Sequence, residues 1–419
     1  MKQFLPVILC LIVLVSCTQP RVTQSRNEKL YKKENNELNA RFCVYHLNDS
    51  ISMVYYDIYN EALIYKKTDT SNYFYSGCRL FFKSAFEPDF KPLYDSITVH
   101  IYDRQLNVGT KHLTGNFAIK AHHGNMYFGE ITVTDVNKHA QYVYPQFIDK
   151  SSHVTRQNFL IRNANGSIHF DSYFSAGESI SLETQTNPDM VFTVDYFYKD
   201  FKIAKPPFSA EPMEHFSYKP DSSFTISKSN DLLHLTLPDK GFYHIRTDAE
   251  TKDGVTCFVY EPSYPKISNT YQMILATRYI MSKKEFDAAI NAPDQKTAID
   301  KFWLDIAGSN ERAHELIRKY YGRVQESNKL FTSHREGWKT DRGMVYIVFG
   351  APNMVIKRKN GEAWVYGESG NPNSLVFSFL KVLNPFTDND YTLERSEIFK
   401  TPWYQAVDFW RQGRIYLDN

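Results

Sequence analysis

Apolar and polar residues alternate along the first half of the chain. In Ser96-Ile97-Thr98-Val99-His100-Ile101-Tyr102, Ile97, Val99 and Ile101 share one face, while Thr98, His100 and Tyr102 share the other. That period of two is the signature of a half-buried strand. Similar runs at 52–56, 73–82 and 126–134 are separated by turn-forming stretches such as Asn48-Asp49-Ser50 and His123-Gly124-Asn125. Together they predict an antiparallel β-sandwich over residues 37–150. A second β segment follows. Phe192, Val194, Tyr196 and Tyr198 form one apolar face, and Leu233, Leu235 and Leu237 another. Pro238-Asp239-Lys240-Gly241 makes a turn into the return strand Phe242-Tyr243-His244-Ile245-Arg246, and a strand over 255–260 closes the set. This predicts an Ig-like β-sandwich over 151–264, ended by Pro262, Tyr264 and Pro265.

After residue 270 the period becomes that of helices. Ser282-Lys283-Lys284-Glu285 is a capping box opening a helix that carries Phe286, Ala289 and Ile290. Ile299, Phe302, Trp303 and Ile306 fall at i, i+3, i+4 and i+7, with Gly308 as the stop. Ala313, Leu316, Ile317, Tyr320, Tyr321 and Val324 mark a third helix. The apolar run 344–349 reads as a strand ended by Gly350-Ala351-Pro352, and Asn360-Gly361 reads as a hairpin turn between strands at 355–359 and 362–366. A strand at 375–382 follows, and Thr401-Pro402 reads as the N-cap and first residue of a closing helix. Residues 265–419 are therefore expected to form an α+β domain. The predicted fold class is multidomain: two β-sandwich (Ig-like) domains followed by an α+β C-terminal domain.

The first residues have a different pattern. Lys2 is the only charge before an apolar stretch from Phe4 to Val15, too short for the roughly 20 residues of a spanning helix. It leads into Leu14-Val15-Ser16-Cys17, which resembles a bacterial lipobox. That resemblance implies a signal peptide over 1–16, cleavage before Cys17, and acylation of Cys17 as a membrane anchor. Polar residues 17–36 then read as a flexible tether. The residues after Cys17 are Thr18-Gln19-Pro20-Arg21-Val22, with no acid among them. They lack the acidic cluster carried by surface-exported lipoproteins, so the expected address is the periplasmic face of the outer membrane. With Cys10 cleaved away and Cys17 acylated, Cys43, Cys78 and Cys257 remain. They read as buried thiols, with a Cys43–Cys78 bridge as the alternative.

Composition narrows the function classes. The chain has 419 residues with 49 Lys+Arg against 47 Asp+Glu, a net charge of +2. That balance argues against nucleic acid as a partner. The 29 Tyr, 30 Phe and 5 Trp are an unusually large aromatic share and favour strands. No nucleophile elbow, phosphate-binding Gly-rich loop or His-Glu-x-x-His is present, so no catalytic residue, metal ligand or cofactor is assigned.

The most distinctive stretch is Gly337-Trp338-Lys339-Thr340-Asp341-Arg342-Gly343. With Phe302-Trp303, Tyr320-Tyr321-Gly322-Arg323-Val324 and Glu362-Ala363-Trp364-Val365-Tyr366, it resembles the GWxTD-domain family of envelope lipoproteins from Bacteroidetes-type bacteria. The resemblance covers about residues 270–419 and implies an envelope address without an activity. Physically, the glycines suit positive φ or close backbone approach. Trp338 would pin the turn to the helices, and Thr340 and Asp341 would bond turn amides. Arg342 would suit a buried carboxylate or carbonyls. The motif thus reads as a staple between helices and sheet, or alternatively as a recognition loop presenting Asp341 and Arg342. Lys357-Arg358-Lys359 reads as a solvated hairpin tip. The expected function is a non-catalytic scaffold that binds an envelope protein partner. The alternatives are a glycan-binding lipoprotein using exposed aromatics, or an enzyme of unrecognised type.

Overall fold

The computed structural model describes residues 24–28, 30–32, 38–67, 71–185, 189–211, 216–247, 253–368 and 370–415. The proposed signal peptide, Cys17 and residues 18–23 lie outside them. Among the described residues, no helix is long and apolar enough to cross a membrane. The first strand, β1 (Gln24–Asn27), belongs to the last sheet of the molecule.

The N-terminal unit is built from β2 (Ala40–His46), β3 (Ile51–Tyr59), β4 (Lys66–Lys67), β5 (Phe74–Ala85), β6 (Asp95–Gln105), β7 (His112–Lys120), β8 (Asn125–Asp135) and β9 (Gln141–Lys150). One antiparallel sheet runs β2-β3-β7. The other runs β4-β5-β8-β9, with β6 also paired to β5. Val44, Val54 and Ile58 of the first sheet share one core with Leu80, Phe82, Ile131 and Val133 of the second. Their alternation along each strand is what buries them together. Cys43 and Cys78 are both free thiols rather than bridged, and Cys257 is free as well.

The second unit repeats the scheme. Its strands are β10 (Phe159–Asn163), β11 (Phe174–Ser175), β12 (Glu178–Thr184), β13 (Val191–Phe197), β14 (Ser222–Ser227), β15 (Leu232–Leu237), β16 (Gly241–Arg246) and β17 (Val255–Tyr260). They form sheets β10-β12-β15 and β11-β17-β16-β13-β14, antiparallel apart from the short β11·β17 pair. Leu182, Leu233 and Leu237 pack across a common core against Phe192, Val194, Ile245 and Val259. The chain as a whole is therefore rich in antiparallel sheet, with a helical C-terminal region.

The C-terminal unit opens with α1 (Thr270–Thr277), α2 (Lys283–Ile290), α3 (Gln295–Ala307) and α4 (Asn310–Phe331). The Ser282/Glu285 capping box closes on α2, and Gly308 ends α3 at φ 76°. In α4 the buried stripe is Ala313, Leu316, Tyr320, Val324 and Phe331. The expected strand at 344–349 is instead part of a helix, α5 (Asp341–Phe349). A short apolar run cannot by itself distinguish a strand from a helix buried on every side. Here the start decides: the Thr340 side chain caps the turn by accepting from the Gly343 N–H, and Asp341 occupies the first turn. The sheet follows with β18 (Met354–Arg358), β19 (Gly361–Tyr366), β20 (Leu375–Lys381) and β21 (Tyr391–Leu393), and α6 (Lys400–Arg411) closes the chain. Helix α6 begins one residue before Thr401, directly after a 3₁₀ turn. Pro402 thus lies within the first turn, where no backbone N–H is required, and Thr401 is not the cap.

The tether departs most from expectation. β1 pairs antiparallel with β18 and completes the sheet β1-β18-β19-β20-β21. Beyond it, Leu30 and Tyr31 are 4% and 8% exposed, inside the same core as α4, α5 and the sheet. Part of the expected flexible tether is therefore an integral piece of the C-terminal unit.

Candidate functional site

The GWxTD stretch begins in a 3₁₀ turn, Gly337–Lys339, and runs into α5. A Cβ on Gly337 would collide with the Ser327 carbonyl of α4, and one on Gly343 with the Gly337 carbonyl. Close backbone approach, not positive φ, is what both glycines provide. Gly343→Ala should therefore destabilise the C-terminal unit by about 1–3 kcal/mol, the usual range for overpacking. Thermal denaturation would read this as a lowered Tm. Trp338 is 1% exposed; its N–H donates to Asn328 Oδ1 at 3.0 Å, and its carbonyl accepts from the Tyr279 hydroxyl at 2.9 Å. Asn328 also donates through Nδ2 to the Pro265 carbonyl at 2.8 Å. It ties α4 both to the motif and to the segment entering from the second unit. The Thr340 hydroxyl donates to the Gly337 carbonyl at 2.7 Å.

Asp341 and Arg342 turn inward. The Asp341 side chain is 5% exposed and holds Arg395 through two bonds of 2.5 and 3.0 Å, while accepting from the Leu393 N–H at 2.8 Å. Its amide partner is thus on β21 rather than in its own turn. Arg395 in turn donates to the Lys205 carbonyl at 3.1 Å, in the long β13–β14 connection of the second unit. Arg342 is 2% exposed. It donates to Glu362 at 3.2 Å and to the Asn389 carbonyl at 2.9 Å, and its guanidinium lies 3.9 Å from the centre of the Tyr391 ring. The recognition-loop alternative required these two side chains to face solvent, and neither does.

Glu362 is the centre of a buried cluster. Its side chain is 0% exposed and accepts from Arg342, from Trp364 Nε1 at 3.0 Å, and from the Tyr31 hydroxyl at 3.2 Å. Lys357 Nζ lies 3.3 Å away. Burial alone would raise the Glu362 pKa, but Lys357 and Arg342 outweigh it and hold the carboxyl below its ordinary value. Burial, reinforced by Glu362, pushes the Tyr31 hydroxyl up to about 12. Lys357 therefore does not belong to a solvated tip. Its side chain is 27% exposed and turned onto Glu362, the residue directly opposite it on β19, whereas Arg358 and Lys359 are exposed. Tyr31, Asn328, Asn389 and Arg395 all escaped the sequence reading, and Glu362 entered it only within the resemblance, not as the carboxylate that Arg342 meets. Each meets the motif through tertiary contact, and no local spacing announces it.

All five Trp are buried: Trp303, Trp338, Trp364, Trp403 and Trp410 are each at most 4% exposed. None is available to stack on a sugar ring. An accessible concave surface lies elsewhere, in a cleft of about 970 Å³ lined by all three units, including Phe42, Phe86, Arg156, Phe170, Arg358 and Leu383. Contacts cross between the N-terminal and C-terminal units here. Lys359 lies 3.9 Å from Glu87, and Lys381 Nζ sits 4.1 Å over the Phe147 ring. The second and C-terminal units meet in an aromatic cluster of Phe197, Phe242, Phe258, Tyr260 and Phe386.

These features define a β-rich protein of several antiparallel sheets whose helical C-terminal region is organised around an internal motif. The chain carries a GWxTD domain: that family matches residues 241–412. The match opens at the first residue of β16, inside the second unit. The β16–β17 hairpin inside the match packs both ways: Ile245 and Val259 lie in the core of the second unit, while Phe242, Phe258 and Tyr260 form the aromatic cluster with Phe386. No curated protein matches the chain.

Proposed function

We propose that this protein is an envelope lipoprotein acting as a non-catalytic scaffold, anchored by acyl chains on Cys17 at the periplasmic face of the outer membrane. Its partner is another envelope protein, and its lineage is Bacteroidetes-type, as the lipobox and the motif resemblance suggest. The observation that carries this reading is the internal engagement of Asp341 and Arg342. The motif's ionisable groups join helices, sheet and the second unit, so its role is to fix the geometry of the assembly. The cleft shared by the three units is then the surface offered to a partner. Each β unit is read as an Ig-like sandwich, supported by its two sheets facing over one core. A glycan-binding role is the weaker reading, since the Trp side chains are interior.

The test places a photo-crosslinking residue at Leu383, 86% exposed on the cleft rim, and as a control at Tyr102, 74% exposed on the N-terminal unit. In intact cells a discrete protein adduct is expected from Leu383 and not from Tyr102. Equal or absent adducts at both positions, with the protein folded and membrane-bound, would overturn the scaffold reading. Cys17→Ala in the same cells should move the protein out of the membrane fraction, and its retention there would overturn the lipid anchor.

A further inference from the structure

We infer that β1, with Leu30 and Tyr31 behind it, is a clamp that holds the tip of the β18–β19 hairpin near the bilayer, with the basic side chains of that tip meeting the lipid headgroups. This rests on the lipid-anchor reading of Cys17. The register of β1 on β18 runs from Gln24 opposite Arg358 to Asn27 opposite Val355. The start of β1 therefore lies at the hairpin tip, beside Arg358, Lys359 and Asn360. The strand is fixed behind by its own turn, in which the Leu30 N–H donates to Asn27 Oδ1 at 2.8 Å. It is fixed more firmly by Tyr31. The Tyr31 ring packs on Phe331 at 5.1 Å and Trp364 at 5.4 Å, its hydroxyl donates to Glu362, and its carbonyl accepts from the Tyr346 hydroxyl at 3.3 Å.

With Gln24 held there, only seven peptide steps separate the sheet from Cys17. At roughly 3.3–3.6 Å per residue, that leash reaches no more than about 25 Å even when fully extended. The hairpin tip is thus tied close to the membrane, although residues 40–260 lie between it and the anchor in sequence. Arg358 and Lys359 are exposed at that tip, and Lys359, 72% exposed, also lies near Glu87. The leash allows the tip to come within a Debye length of the surface, about 8–10 Å at physiological salt, where basic side chains are drawn to anionic lipid. The arrangement reverses the order expected from sequence. The two β units do not lift the C-terminal unit away from the membrane; the hairpin tip, with the Glu87 edge of the N-terminal unit beside it, lies close to the anchor.

The test uses the full-length acylated protein bound to vesicles of phosphatidylcholine and phosphatidylglycerol that carry a headgroup quencher. A fluorophore is attached at Lys359→Cys or at Tyr102→Cys. The native thiols interfere little: Cys78 and Cys257 are buried, and burial pushes the Cys43 thiol up to about 11. Quenching several-fold stronger at 359 than at 102 is expected. Replacing Gln24–Asn27 by an equal-length Gly/Ser run together with Tyr31→Ala should remove the contrast while the protein still floats with the vesicles. Near-UV circular dichroism of the buried Trp residues reports whether that variant keeps its fold. Flotation with equal quenching at both sites in the unaltered protein would overturn the clamp alone. Failure of the acylated protein to float would overturn the anchor reading and the clamp with it.

Discussion

Trp338→Ala is expected to destabilise the C-terminal unit by about 3–5 kcal/mol, the usual cost of deleting a large buried ring. The main-chain bonds from Trp338 to Asn328 and Tyr279 can survive the substitution, so the loss is that of the ring itself. The ring belongs to the core shared by α1, α3, α4, α5 and the sheet. Calorimetry should show the C-terminal transition lowered or lost while the N-terminal unit, with its separate core, keeps its own. The second unit should follow the C-terminal one in part, because the Phe386 cluster couples them. A variant with unchanged melting would show that the motif does not staple the domain.

Arg342→Ala should be of comparable size, again about 3–5 kcal/mol, because it leaves a buried carboxylate short of its partner. Three bonds are lost together: one to Glu362 and two to Asn389, through its carbonyl and its side chain. Arg342→Lys should rescue little, since an ammonium cannot span Glu362 and Asn389 as the guanidinium fork does. The double variant Arg342→Met with Glu362→Gln should be more stable than Glu362→Gln alone, because Arg342 is then no longer buried without its carboxylate, while Lys357, which loses the same partner, is 27% exposed and can turn to water. Acid denaturation supplies a separate readout. The Glu362 pKa is held low in the folded state, so its contribution is complete above the ordinary carboxyl pKa and is lost as the pH falls through the folded value. Removing Arg342 takes away one of the cations that hold it low, so the variant should lose stability at a higher pH than the unaltered protein. Parallel acid-unfolding curves for the two would contradict the ion pair as the cause.

Much of the architecture was legible because it rests on local rules. Ile97, Val99 and Ile101 announced β6 by alternation, Ser282 and Glu285 announced the start of α2, and Gly308 the end of α3; Asn360-Gly361 announced a hairpin between β18 and β19, but one residue late, since Gly361 pairs with Arg358 and the loop is Lys359-Asn360. Two elements resisted for different reasons. The run from Met344 to Phe349 is apolar on every side, so periodicity could not type it; the cap at Thr340 was the available signal. β1 is four polar residues whose strand character comes wholly from the edge of β18. Its hydrophobic followers, Leu30 and Tyr31, are too few to form a pattern. The candidate site divides in the same way. The motif stood out by composition, but its partners Glu362, Asn389, Arg395 and Tyr31 come from distant stretches, and only the folded chain shows that they meet.

The bond from Tyr31 to Glu362 spans 331 positions of sequence, and this separation sets an order of events as the chain emerges. The segment that leaves the ribosome near the beginning has no place to settle until β18 and β19 have been made, long after both β units could have closed. The entropic cost of joining such distant stretches grows only logarithmically with the intervening length. It shrinks further once the two β units have folded and shortened the effective span. The first strand synthesised is thus among the last to dock. Any product truncated before β18 would leave it without a neighbour, so its docking marks a chain that has been completed.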